Sequence, residues 1–259
     1  MNVHPSATVS KDAKLGDIEV GPCTVIGPDV RIGDGTVIGP FVVIDGHTEI
    51  GSSNRIFQFA SIGSPPQDLK YKNEPTRLVI GDNNIIREHV VINPGTVTGR
   101  GVTTIGNRNM LMTGSHVAHD CIVGDEVIFA NGATLAGHVT VESMAILGGL
   151  IAIHQFARIG KLAMVGGGRN GGQDVPPFAV ASGDRARLYG INLIGLRRRG
   201  YTKEKILLIE RAYRLLFRST MGLADAVKKV NDEFPPDPDI RHIVEFVQTS
   251  TRGVCRYRL

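Results

Sequence analysis

Large aliphatic residues return at every sixth position through the first two thirds of this 259-residue chain, and that period restricts the fold more than any other feature. One register runs Val20, Ile26, Ile32, Ile38, Ile44, Ile50, Ile56, Ile62. A second runs Ile105, Leu111, Val117, Val123, Phe129, Leu135, Val141, Leu147, Ile153, Ile159, Val165. An amphipathic helix brings its apolar face round every 3.6 residues, so a period of six is not helical, and it is too sparse for a membrane span. It suits very short strands separated by turns. The aliphatic points inward, a small residue four places on (Ala60, Ala133, Ala145, Ala157) also points inward, and Gly or Asn takes the tight corner. Such units bury nothing alone; they stack into a β-helix around a continuous aliphatic column. The 32 glycines and the 5% aromatic content without Trp agree with a narrow, sharply turning prism. A β-sandwich, whose turns come every 8–12 residues, fits the spacing poorly.

Two Pro/Gly-rich polar segments, 63–79 and 93–104, break the rhythm and read as external loops. The hexads stop near residue 170, and the chain divides into a β-helix over 1–185 and a helical domain over 186–259. Thr202 is the expected N-cap of a helix carrying Ile206, Ile209, Leu216 and Phe217 on one stripe. A second helix is expected over about 222–233 and a third from near Asp239, with Ile240, Ile243, Val244 and Val247 inward. These helices are expected to cap the open end of the β-helix, which otherwise exposes strand edges.

Charge is uneven. Residues 1–185 carry 14 Lys/Arg against 17 Asp/Glu, net −3, whereas 186–259 carry 15 against 8, net +7. A basic tail on a slightly acidic body points to an anionic partner. Nucleic acid is disfavoured because aromatic interleaving and a recognised binding motif are both missing. The three cysteines, Cys23, Cys121 and Cys255, are far apart with no C-x-x-C, which argues against a disulfide framework or zinc knuckle and suits a reducing compartment. No apolar leader or run of about 18 apolar residues occurs, so a cytoplasmic protein without a membrane segment is expected.

Four of the eight histidines, His116, His119, His138 and His154, fall within 39 residues. His119 lies two places after the inward Val117 and so points outward from the wall. Two chemistries compete for such a cluster: a zinc site, and a general base whose partner fixes its tautomer and stabilises its cation. Asp120 is the adjacent candidate partner.

The hexapeptide register occurs together with Gln67-Asp68-Leu69-Lys70, His116-Val117-Ala118-His119-Asp120-Cys121, Leu135-Ala136-Gly137-His138, Ile153-His154-Gln155-Phe156, Gln173-Asp174-Val175-Pro176-Pro177 and Gly195-Leu196-Arg197-Arg198-Arg199-Gly200. In this combination, over essentially the whole chain, the sequence resembles the UDP-N-acetylglucosamine O-acyltransferase family of lipid A biosynthesis. The resemblance implies a left-handed parallel β-helix with three hexads per coil, a helical C-terminal domain, and a homotrimer with active sites in clefts between subunits. It implies transfer of an (R)-3-hydroxyacyl chain from acyl carrier protein to the 3-hydroxyl of UDP-N-acetylglucosamine, with no metal and no cofactor beyond the carrier's own phosphopantetheine. With that coil length, residues eighteen apart stack, which sets Asp120 beside His138 and aligns His119, Gly137 and Gln155 in one column.

By the same resemblance His119 is the general base, Asp120 supports it, and the Gly137 N–H receives the oxyanion. Gln67, Asp68, Lys70, His116, His138, His154 and Gln155 match positions lining the substrate site; Asn192 and Arg198, from an adjacent subunit, match uracil and phosphate contacts. Gly167 matches the position that measures acyl length, where a missing side chain leaves the groove open. Arg187, Arg197, Arg199, Arg211, Arg214 and Arg218 offer a surface to steer the acidic carrier protein. Two departures stand out: Ile194 in place of a Glu near the nucleotide, and Asn93-Pro94 in place of a His-Arg pair. A 3-amino sugar acceptor giving an amide remains an alternative. The later N-acyltransferase of the pathway is disfavoured, because the hexads begin almost at residue 3 and leave no room for its uridine-binding domain.

Overall fold

The structure is a computed structural model that describes residues 1–168, 170–183 and 186–257. Most hexads contribute a strand of only two residues, the first facing out and the second in, as in Val25–Ile26, Arg31–Ile32 and Val37–Ile38. Such strands persist because each is paired on both sides by the coils before and after it. Among the described residues they form three sheets of 11, 9 and 8 strands, the faces of a left-handed parallel β-helix. The first face starts with Asn2–Val3, the second with Thr8–Val9 and the third with Lys14–Leu15. Pairing of His116 with Thr134 and Ile122 with Thr140 gives the expected coil of 18 residues. Every aliphatic of the two sequence registers is buried in one core. In the first coil Asn2 pairs with Glu19 and Lys14 with Arg31, a step of 17, so the regular hexads begin only at Val20.

The structure corrects several expectations. The inserted loops are shorter than 63–79 and 93–104. Strands Arg77–Ile80 and Val102–Ile105 pair with each other and resume the third face, Leu78 and Ile80 alternating inward. The second loop is not simply external, since residues 93–96 are buried. The inward position four residues after the aliphatic is not always small and apolar. At the corner from third to first face it is Thr36, Asn54, Asn84 and Asn109, all buried. Asn54 Oδ1 accepts the Asn84 N–H at 2.9 Å, Asn84 Oδ1 the Asn109 N–H at 2.8 Å, and Asn109 Oδ1 the Val127 N–H at 2.7 Å. A polar ladder thus satisfies corner N–H groups that the narrow turn leaves unpaired.

Corners also use fewer glycines than expected. Between the second and third faces, Asp120, His138 and Phe156 adopt φ of 60°, 62° and 64°. A left-handed residue with a side chain costs about 1 kcal/mol or more and persists only where its surroundings hold it. The cost is met at all three corners, as at Phe41, Phe59 and His89 and at Ser53, Asn83 and Arg108, and the column between the second and third faces is the one that carries Asp120 and His138.

The helical part begins at Leu193 rather than at 186. Strand Arg187–Ile191 pairs antiparallel with Ala179–Ser182 on the first face. Helices α1 (Leu193–Arg198), α2 (Lys203–Arg218), α3 (Leu223–Glu233) and α4 (Pro238–Gln248) follow, with Thr202 accepting the Lys205 N–H as N-cap of α2. The last coil's edge is covered by this hairpin and by the C-terminal segment, where Cys255 N–H donates to Asp174 O at 2.9 Å, so the helices do not cap it alone. Arg158 ties α4 on: its guanidinium donates to Asp174, to Thr249 Oγ1 and to the Phe246 carbonyl, and lies 4.2 Å from the Phe246 ring centroid. No helix among the described residues is long and apolar enough to cross a membrane.

Candidate active site

Strand His116–Val117 on the second face ends in the corner that carries His119 and Asp120. His119 leaves the outside of the prism wall, as the hexad phase requires, but it is not open to solvent: it is only 9% exposed. Its Nδ1 lies 2.9 Å from Asp120 Oδ2. The buried Asp120 carboxylate accepts further bonds from the Thr96 hydroxyl at 2.7 Å, Arg100 N–H at 2.8 Å and Gly101 N–H at 3.1 Å, and the Thr96 N–H is shared between its two oxygens. Burial alone disfavours the charged form, but the Thr96 hydroxyl, the His119 ring and the Thr96 N–H outweigh it, and the carboxyl is held below its usual range. An ionised carboxylate only accepts. His119 Nδ1 therefore carries a proton, and in the neutral ring that tautomer leaves the lone pair on Nε2.

Gly137 lies one coil on, under that ring. A Cβ on Gly137 would stand 2.4 Å from His119 Cε1 and 2.5 Å from Nε2, so only glycine admits the imidazole here. Among the described residues the Gly137 N–H donates to no partner. His138 meets His119 edge to face at 5.0 Å, lies 3.9 Å from Asp120 Oδ2, and stacks on Phe156 at 4.6 Å. Burial lowers the His138 pKa, opposed only in part by the Asp120 and Asp68 carboxylates. Burial and then the neighbouring His119 lower that of His116. Both rings are accordingly neutral at neutral pH and can accept as well as donate.

The structure gathers some of the sequence-predicted residues and separates others. Asp68, on the first loop, is near enough to act on His138, and its Oδ1 accepts the Lys70 N–H at 3.0 Å. Gln67 and Lys70 are exposed on the same loop; Gln155 is half-buried beside Phe156, and His154 is exposed. Asn192 and Arg198 lie elsewhere, in a groove of about 650 Å³ whose floor is Ile128, Ile146 and Met164 of the first face and whose rim includes the exposed Ile194. The Asn192 side chain is already committed within the chain, its oxygen capping α1 through Gly195 N–H at 2.9 Å and its nitrogen donating to Leu162 O at 2.9 Å. Gly167 is exposed, and a Cβ there would meet Gly149 O at 2.6 Å, so its bareness also serves close coil packing. The buried Asn93 joins the two loop roots through Ser64 O at 2.9 Å. Sequence reasoning missed Thr96, Arg100 and Gly101. Their only signal was the Gly95-Thr96 and Gly99-Arg100-Gly101 run, a glycine-rich stretch able to turn several N–H groups onto one anion.

The ligand atoms of His119, Asp120 and His138 lie within 4.8 Å of one another, the single grouping among the described residues that could seat a metal. The donor set argues against that use. Both Asp120 oxygens are spent on N–H and O–H donors, and His119 Nδ1 is spent on Asp120. An imidazole with one nitrogen held by a carboxylate and the other left free can chemically act as an oriented base.

Comparison with known proteins shows the family. The family described as "Udp N-acetylglucosamine O-acyltransferase; Domain 2" matches residues 174–255, and the bacterial transferase hexapeptide family matches 19–46 and 102–137. A relative from Thiobacillus denitrificans named acyl-[acyl-carrier-protein]–UDP-N-acetylglucosamine O-acyltransferase is 50% identical over 98% of this chain and 99% of its own length. One of the same name from Thermodesulfovibrio yellowstonii is 51% identical over the same shares. The chain belongs to the UDP-N-acetylglucosamine O-acyltransferase family. It is an acyltransferase. Solved members superpose closely: the enzyme from Moraxella catarrhalis has a TM-score of 0.97 at 42% identity, covering 99% of this chain and 100% of that one. That from Campylobacter jejuni has 0.94 at 36%, with coverage of 99% and 100%.

Proposed function

We propose that this chain transfers an (R)-3-hydroxyacyl group from acyl carrier protein to the 3-hydroxyl of UDP-N-acetylglucosamine, the opening step of lipid A biosynthesis, in the cytoplasm and without a metal or other cofactor. The observation that carries the reading is the His119–Asp120 contact at 2.9 Å, with every other Asp120 lone pair already engaged and Nε2 left free. His119 Nε2 takes the proton of the sugar hydroxyl as its oxygen attacks the thioester carbonyl. The new C–O bond forms, and the carbonyl electrons move onto oxygen, where the Gly137 N–H donates to the oxyanion. Collapse breaks the C–S bond, and the His119 imidazolium returns the proton to the leaving thiolate. A covalent route through the nearest thiol is disfavoured: Cys121 is buried, donates to Ala136 O, and burial pushes its pKa up to about 12.

The outer faces support a homotrimer. The third face is charged (Lys14, Arg31, Glu49, Arg77), whereas the first and second present Val37, Val25 and Val43 and meet at a corner of Phe41, Phe59 and Leu150, which are 50%, 49% and 77% exposed. Burying that corner of three copies together removes the apolar column from water. Triangular prisms joined along one corner leave a cleft between the second face of one copy and the first face of the next. Such a cleft would have the His119 wall on one side and the Asn192–Arg198 groove on the other. The acidic carrier is expected against the basic C-terminal part.

The test is turnover of purified protein with an (R)-3-hydroxyacyl carrier and UDP-N-acetylglucosamine. His119→Ala is expected to lower turnover by about 100- to 10,000-fold with the melting curve unchanged. Near-normal turnover, or an amide formed only with a 3-amino sugar, would overturn the reading.

A further inference from the structure

We infer that Thr96, with the loop from Gly95 to Gly101, is a positioning element for the base, acting through Asp120; the inference rests on the role of His119 proposed above. Thr96 is buried and uses both its hydroxyl and its N–H on the carboxylate, at 2.7 Å and 3.1–3.2 Å. Arg100 and Gly101 add two N–H bonds to the other oxygen. The corner N–H of Asp120 is held in turn by Thr103 Oγ1 at 2.8 Å. The loop approaches so closely that a Cβ on Gly99 would lie 2.4 Å from the carboxylate, and a Cβ on Gly95 would lie 2.1 Å from Val102 N.

Four hydrogen-bond donors on one carboxylate fix its plane, and the plane of the carboxylate fixes that of the imidazole bonded to it. They also set its basicity. Each donor withdraws charge from Asp120, so each weakens its pull on the His119 proton. The loop therefore sets the charge that Asp120 presents to the ring as well as aiming it. The other titratable groups facing the pair are His138, His116 and the buried thiol of Cys121, with Asp68 acting on His138. Among the described residues none of these groups is hydrogen-bonded to Thr96, and none is removed by substitution there.

The experiment is the pH–rate profile of the full-length enzyme and its variants with carrier-bound (R)-3-hydroxyacyl donor and UDP-N-acetylglucosamine. Thr96→Val is expected to lower kcat on the order of 10- to 100-fold with the KM for the sugar nucleotide little changed. The acid limb should move to higher pH, because a carboxylate short of one donor stabilises the imidazolium more. Thr96→Ser, which keeps the hydroxyl, restores both. Gly99→Ala, on the exposed side of the loop, is expected to move the limb in the same direction and serves if Thr96→Val does not fold. Asp120→Asn is the control. If Asp120→Asn loses activity while Thr96→Val and Gly99→Ala keep the wild-type limb, the loop is not a positioning element. If Asp120→Asn itself is fully active, it is the base assignment that fails.

Discussion

His119, the proposed base, is set by three neighbours that differ in how visible they are along the chain. Asp120 is adjacent, Gly137 is one coil away, and Thr96 reaches it only through the path of a loop. The first two follow from the hexad phase together with an 18-residue coil. The third does not, because a 24-residue separation is not a whole number of 18-residue coils and depends on how residues 95–101 fold back. The same limit explains why Asp120, His138 and Phe156 were not anticipated in left-handed backbone. The corner rule favours Gly or Asn, yet stacked coils hold residues as different as Phe41, Ser53, Arg108 and Met144 in the same left-handed backbone, because pairing with the coils on either side fixes the turn. Gly137→Ala tests the residue scale. Its Cβ must displace a ring 2.4 Å away, so activity should fall by at least about 100-fold, the scale of a mispositioned catalytic group, while circular dichroism keeps the β signature. Normal kcat in this variant would mean that the ring does not react from this position.

Among the elements, α4 is held by two unlike contacts. Arg158 serves Asp174, Thr249 and Phe246 at once. His242 Nε2 meets Glu142 Oε2 at 2.7 Å; that hydrogen bond raises the His242 pKa, with burial opposing. A raised pKa means that the contribution is fully present below the unfolded value near 6.5 and is lost as pH rises through the folded one. The pair is partly exposed, so its worth is at most about 1 kcal/mol. His242→Gln should lower Tm at pH 6 by a few degrees and at pH 8.5 by less, read by differential scanning fluorimetry. Equal loss at both values would show that protonation does not matter. The helices themselves were readable from their apolar stripes and the Thr202 cap, but their docking was not. Contacts between residues 88 or 100 apart, such as Arg158–Phe246 and Glu142–His242, leave no periodic trace. The antiparallel return of Arg187–Ile191 was likewise hidden, since one strand without a hexad partner has no repeat to announce it.

At the scale of the molecule, the proposed assembly follows from which sequence positions are outward, the third face being charged at its first coils where the other two carry exposed valines. Hexad phase separates inside from outside, and outward residues then sort by face: Lys14, Arg31 and Glu49 on the third, Val37 on the first, Val25 and Val43 on the second. The proposed site combines the His119 corner of one copy with the Arg198 groove of the next. Neither is sufficient alone, and the two lie on different faces of one chain.

Complementation between two inactive variants measures this most directly. His119→Ala and Arg198→Ala proteins, each nearly inactive alone, are unfolded together, refolded as mixed oligomers and assayed for acyl transfer. Random assembly pairs an intact His119 with a neighbour's intact Arg198 at about one site in four, so the mixture should regain up to roughly a quarter of wild-type turnover. A mixture no more active than its components, with exchange verified by mass, would contradict a base that works at the seam between copies.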